Sequence, residues 1–316
     1  MSTSHDIIRA SENTTRPDTA PQVQEVADGV FAYIQPDGTW WINNTGFLVG
    51  GGGVIAVDTC ATEHRTRAYA DTIARVSGGA PVRTLVNTHH HGDHTHGNWL
   101  FPAATIVGHE ETRTEILRQG LTDYDAVWPG VDWGEVRVTP PFLTFRDAVT
   151  LYAGDTRAEV RHFGVAAHTT NDSVVWLPDH GVVFTGDLVF NGGTPFLLMG
   201  SPAGSLHALE QLRALGAPTL VPGHGPVCGP EQIDVTAGYV RFVMETAEAG
   251  RAAGLTPLDA AREADLGEYA ALSDPERLVG NLHRAYAELD GRDVDIEIAV
   301  LDMIVYNGGR PLSCRA

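Results

Sequence analysis

The chain predicts an α/β protein in which strands and helices alternate as far as residue 225, followed by a helical C-terminal extension. Three observations point there. Short β-type runs recur from residue 29 onward, helical patterns separate them, and after Pro230 only amphipathic helical patterns remain.

In chain order, residues 1–22 are polar and read as a flexible N-terminal arm. Strand-type runs follow at "GVFAYIQ" (29–35), "TGFLVGGGGVIAVDT" (45–59), "RTLVNTH" (83–89) and "ATIVGHE" (104–110). Further runs are "EVRHFGV" (159–165), "DSVVWLPDHGVVFTGDLVF" (172–190) and "TLVPGHG" (219–225). Several are apolar on consecutive residues, as strands buried on both faces are. Gly50–Gly53 lead from strand to strand, which predicts a hairpin rather than a phosphate-cradling loop, since the latter must open a helix. Helices are expected over 62–78, 108–120 and 204–216, the last with Ser205 as its N-cap and Gly216 as its stop. Beyond Pro230, residues 231–254, 256–272 and 273–291 read as amphipathic helices, so 23–230 is expected to be one catalytic domain and 231–316 its helical extension.

At 316 residues the chain can bury a sizeable core, and its 43% hydrophobic content with 35 glycines is ordinary globular composition. A formal charge of -19 argues against nucleic-acid partners and against anionic membrane surfaces. The N-terminus lacks the basic and apolar regions of a secretory signal, and no run of 18 apolar residues is present. Cys60, Cys228 and Cys314 are odd in number and far apart, as reduced thiols are. The expectation is a cytoplasmic protein acting on a small molecule.

Chemistry concentrates in "NTHHHGDHTHGNW" (87–99), which follows the apolar run "RTLV". His89-x-His91-x-Asp93-His94 offers three imidazoles and one carboxylate, the ligand types zinc accepts. His89 and His91, two apart on an extended backbone, point to one side. Gly92 is expected to supply the turn that swings Asp93 and His94 towards a second position. Three further candidates, His168, Asp187 and His224, each end a strand-like run, and the successive gaps from His94 are 74, 19 and 37 residues.

Taken in order, "AVDT", "THHHGDH", "GVAAHTTND", "FTGDLVF" and "VPGHG" resemble the five motifs of the metallo-β-lactamase superfamily over roughly residues 23–230. The resemblance implies an αββα sandwich with a dinuclear site at one edge. It assigns His89, His91 and His168 to one metal and Asp93, His94 and His224 to the other, with Asp187 bridging. Two Zn(2+) ions per chain are expected, with iron as the alternative. Asp58 would accept a hydrogen bond from a ligand imidazole and fix its tautomer. Two metals about 3.5–4 Å apart can share a hydroxide that attacks a polarised carbonyl. Asp93 is then both ligand and catalytic residue, orienting the nucleophile.

His90 should point into the protein body as a structural residue, and His96 sits outside the ligand set at an expected helix start. Cys60 and Cys228 are near the site in sequence but are not expected to ligate. Pocket candidates are Trp40, Trp41, Phe190 and Phe196. "GTWW" reads as a hairpin tip, where two consecutive tryptophans cannot both face inward, so at least one should meet a partner or substrate. Lactonases of the superfamily commonly carry a tyrosine three residues beyond the bridging aspartate, where this chain has Phe190.

The expected function is a binuclear zinc hydrolase attacking the carbonyl of a small-molecule ester, thioester, lactone or amide. The alternatives are a mononuclear iron enzyme of the persulfide dioxygenase type, held by two histidines and a carboxylate, and a beta-lactam hydrolase. The C-terminal helices offer either a lid over the site or a homo-oligomer interface.

Overall fold

The computed structural model describes residues 20–316; the expected N-terminal arm lies outside the described residues up to residue 19, and β1 begins on Gln22. One sheet runs in chain order through β1 (Gln22–Ala27), β2 (Val30–Ile34), β3 (Thr45–Gly50), β4 (Gly53–Val57), β5 (Val82–Val86), β6 (Thr105–His109) and β7 (Leu143–Phe145). Its first four strands are antiparallel and the rest parallel. The second sheet contains β8 (Ala148–Ala153), β9 (Thr156–His162), β10 (Ser173–Leu177), β11 (Val182–Phe190) and β12 (Thr219–His224), in the order β12-β11-β10-β9-β8. The helices are α1 (Glu63–Val76), α2 (Gly92–Thr95), α3 (Glu110–Gln119), α4 (Pro202–Ala214), α5 (Glu231–Ala252), α6 (Pro257–Glu263), α7 (Arg277–Asp290) and α8 (Ile296–Tyr306).

The two sheets bury their inner faces on each other: Val30, Leu48, Ile55 and Val86 of the first meet Val160, Leu177, Phe184 and Val221 of the second. Tyr69 and Ile73 of α1 cover the outer face of the first sheet, and Leu209 and Leu212 of α4 cover that of the second. Helices therefore lie outside two stacked sheets, the αββα sandwich with added C-terminal helices. Consecutive apolar residues in β10 and β11 are accounted for, since both strands are buried on both faces. Gly50 pairs with Gly53 across the β3–β4 hairpin, as expected.

Some boundaries differ. α4 is capped by Ser201, whose Oγ accepts from the Gly204 N–H at 3.0 Å, and Ser205 lies inside the helix. Pro202 is the cause, because its fixed φ and missing N–H suit the first helical position. β7 and β8 were not anticipated, because they are short or half-exposed and carry no apolar run. α8 lies within the expected helical extension, although "IEIAVLDMIVY", rich in β-branched residues, has no amphipathic pattern of its own; Asp295 caps it and Ala299 and Met303 are buried.

α5, α7 and α8 build a separate core with Val243, Ala247, Leu282 and Met303, and this core reaches across to Trp40 and Trp41 in the β2–β3 loop. Among the described residues no helix is long and apolar enough to cross a membrane.

Candidate metal centre

The C-terminal ends of β4, β5 and β12 lie at one end of the sandwich, and the candidate ligands sit there. Asp58 follows β4, His89 and His91 follow β5, and His224 is the last residue of β12. Asp187 lies within β11, where the register against β12 shifts around Gly186, whose φ of 51° is the left-handed conformation that suits glycine. His168 comes from the β9–β10 connection.

Their ligating atoms form two groups, His89, His91, His168 and Asp187 in one and Asp93, His94 and His224 in the other, each within 4.8 Å internally. Asp187 touches both: its Oδ1 is 3.1 Å from His94 Nε2, and its Oδ2 is 3.4 Å from His168 Nε2 and 3.3 Å from His224 Nε2. Asp93 Oδ2 is 3.3 Å from His224 Nε2. All seven side chains predicted as ligands are thus brought together.

The far nitrogens set the tautomers. His168 Nδ1 donates to the Phe196 carbonyl at 2.6 Å, His224 Nδ1 to the Gly38 carbonyl at 3.1 Å, and His94 Nδ1 to Asp58 Oδ2 at 2.8 Å. In the neutral rings this leaves the Nε2 lone pairs of all three turned into the cluster. His91 Nδ1 and His168 Nε2 face each other at 2.9 Å. Nε2 of His89, Nε2 of His94 and Oδ1 of Asp187 are buried without a hydrogen-bond partner, the last two being close but out of line. Buried lone pairs left in this way are costly unless a cation satisfies them. Imidazole and carboxylate donors in this number fit one or two divalent metal ions.

Asp58 behaves as the motif implies. Besides His94 it accepts from the Thr88 N–H and Thr88 Oγ, each at 2.7 Å, and its φ of 59° turns the carboxylate inward from the end of β4. Burial pushes its pKa up. Burial holds His89 and His91 well below the usual histidine range. Burial also disfavours charge on His224, but Asp187 and Asp93 outweigh it and push its pKa up to about 9. The carboxyls of Asp93 and Asp187 are desolvated, yet the surrounding histidines hold both below the carboxylate range.

Gly92 opens α2, but not through a left-handed turn: a Cβ there would lie 2.8 Å from the Trp41 ring and closer still to His96, so the glycine is required for space. His90 turns away from the ligands towards the body, with Asn171 Nδ2 at 2.9 Å from its Nδ1, and burial lowers its pKa to about 4. His96 caps the end of α2, its Nδ1 3.3 Å from the Ala61 carbonyl, and the short 3-10 helix Asn98–Leu100 starts just after it, capped by Gly97, as expected. Neither Cys60 nor Cys228 belongs to either group; burial pushes both thiols up to about 12.

The expectation that the two tryptophans of "GTWW" cannot both face inward is overturned. Trp40 and Trp41 are both buried, at 8% exposure, because Trp41 has a φ of 67° and strand alternation does not apply in this irregular loop. Trp40 Nε1 donates to Glu276 at 2.7 Å, the Arg277 guanidinium lies 4.1 Å over its ring, and its ring centroid is 5.0 Å from Phe196. Trp41 is surrounded by Tyr124, Trp128, Trp133 and His96. Phe190 stacks on His224 at 5.0 Å with the planes 4° apart. Trp99 instead points away, its Nε1 bonded to the Glu135 carbonyl and Arg137 over its ring.

A cavity of about 460 Å³ opens above the cluster, and Trp40, Trp41, Phe190 and Phe196 all line it. Tyr124, Trp128, Arg277, Val300 and Met303 also line it, and none of these is a pocket candidate from the sequence. Tyr124, Trp128 and Trp133 fall in the long stretch between α3 and β7 that has no helix or strand, and aromatics in such a connection were the available signal.

The model for the metallo-beta-lactamase superfamily matches residues 38–224, more than half of the chain. The chain belongs to the metallo-beta-lactamase superfamily. A superfamily relative from Gloeothece citriformis, a hydroxyacylglutathione hydrolase, is 35% identical over 146 residues, 43% of this chain and 48% of the relative. The hydroxyacylglutathione hydrolase of Rhodospirillum rubrum is 30% identical over 213 residues, covering 66% of this chain and 71% of the relative. The chain spans about half the length of the first of these. Among solved structures, a metallo-beta-lactamase from Pontibacter korlensis superposes with a TM-score of 0.58 at 21% identity, over 70% of this chain and 99% of its own. That likeness concerns the fold.

Proposed function

We propose that this chain is a metal-dependent hydrolase that holds two divalent metal ions and cleaves the acyl bond of a small-molecule thioester or ester. The observation that carries this reading is Asp187, whose two carboxylate oxygens face ligand nitrogens of both histidine groups. In this reading His89, His91 and His168 hold one ion, Asp93, His94 and His224 the other, and Asp187 lies between them. The nitrogen and oxygen donor set favours zinc. When bound, such ions activate water and polarise a carbonyl.

The chain's own residues then bind, orient and shield. Asp58 holds His94, and two backbone carbonyls hold His168 and His224, so the Nε2 atoms are aimed before metal arrives. Asp93, beside His224, would orient the attacking water, and the aromatic walls would exclude bulk solvent. The names of the curated relatives support an acyl transfer to water, since an acyl group on the glutathione sulfur is a thioester. The division into a catalytic part over 23–230 and an extension that covers its site belongs to the same reading.

The test is metal content together with turnover. The purified protein should carry two equivalents of zinc and hydrolyse acyl thioesters. Asp187→Ala should lose at least one equivalent and on the order of 10³-fold in kcat. One equivalent of iron, or full activity in Asp187→Ala, overturns the reading.

A further inference from the structure

We propose that the cavity above the cluster takes an uncharged, apolar acyl group, alkyl or aryl, rather than a charged peptide-like thiol, a substrate class that rests on the hydrolase reading above. Its floor is made by His91, Asp93, His168, Asp187 and His224, so an acyl group filling it can bring its carbonyl to the candidate metal ligands. Its walls come from three separate parts of the chain: Trp40 from the β2–β3 loop, Trp128 from the stretch before β7, and Val300 and Met303 from α8, with Phe196 and Leu198 between them. At about 460 Å³ it has the size of a small-molecule site.

The walls are preformed. Trp40 is fixed by its bond to Glu276 and by Arg277 on its face, and its ring centroid lies 5.4 Å from that of Trp128. A rigid apolar cavity rewards each methylene it buries and loses little to ordering.

The cations on the cavity do not offer themselves to an anion. Arg277 is 2% exposed; it forms an ion pair with Asp274 at 2.9 Å and donates to the Thr194 carbonyl at 2.9 Å, while its Nε is buried without a hydrogen-bond partner under the Trp40 ring. Arg118 stands at the rim with its side chain 64% exposed and is held by Glu115 at 2.6 Å. Asp123 adds a negative charge to the same lining. A glutathionyl group brings two carboxylates and one ammonium, and its acids would be desolvated here beside cations whose charge Asp274 and Glu115 already match. An apolar acyl group meets no such penalty.

The experiment uses the zinc-loaded protein and N-acetylcysteamine thioesters bearing acetyl, butyryl, hexanoyl and phenylacetyl groups, with S-acetylglutathione alongside. In parallel, ketone analogues with CH2 in place of sulfur are titrated by tryptophan fluorescence. The expected result is a kcat/KM that rises about threefold per added methylene, with ketone affinity rising in parallel. Val300→Trp should reduce the hexanoyl-to-acetyl ratio at least tenfold. Equal kcat/KM across the acyl series, or a tenfold preference for S-acetylglutathione over the acetyl cysteamine ester, overturns the proposal while leaving the hydrolase reading intact. Ketones that bind in the expected order without any thioester being cleaved would uphold the apolar cavity and sink the hydrolase reading instead.

Discussion

At the scale of single residues, the candidate ligands were legible because ligand chemistry restricts residue type. Few side chains besides histidine and aspartate could fill those places, and the order His89, His91, Asp93, His94, His168, Asp187, His224 survives folding as one cluster. Asp58 is legible only in part. Its bond from a ligand imidazole follows from the motif, whereas its left-handed backbone and its two bonds from Thr88 exist only once β4 and β5 are paired. Asp58→Asn keeps the shape of the side chain but removes the anionic acceptor behind His94. Its zinc affinity should fall by roughly 10- to 100-fold, as losses of such outer partners do. A chelator competition titration measures this, and an affinity within twofold of the parent would mean that His94 is oriented without Asp58.

At the scale of elements, apolar runs buried on both faces announced β10 and β11, whereas half-exposed β8 and β-branched α8 gave no periodic signal. Nor did any local pattern show that α7 would be stitched to the loop after β11. Asn281 of α7 is fully buried; its Oδ1 accepts from the Leu197 N–H at 2.7 Å and its Nδ2 donates to the Pro195 carbonyl at 2.8 Å. These bonds flank Phe196, whose carbonyl accepts from His168. Asn281→Ala would strand one buried donor and one buried acceptor, destabilising the protein by roughly 2–4 kcal/mol. Thermal unfolding should show a fall of several degrees together with weakened zinc retention. A drop in stability without any change in zinc would confine Asn281 to holding the extension in place.

At the scale of the whole molecule, the αββα layering explains why distant segments meet: the ends of β4, β5 and β12, a bulge in β11 and the β9–β10 connection open at one edge. The cluster formed there carries an electrostatic consequence for stability. In the metal-free protein Asp187 and Asp93 raise the pKa of His224 to about 9. A raised histidine pKa stabilises the fold fully below the unfolded value of about 6.5, and that contribution is lost as pH rises through about 9. Metal binding must expel the same proton, so zinc competes better as pH rises. The stabilisation given by zinc, read as loaded minus stripped Tm, should therefore grow from pH 6 to pH 9. The net charge of -19 makes carboxylate repulsion a background common to both forms, which the difference removes. The measurement is thermal unfolding of chelator-stripped and zinc-loaded protein at four pH values across that window. A difference that stays flat or shrinks would show that the cluster holds no proton on His224 or His94 for the metal to displace.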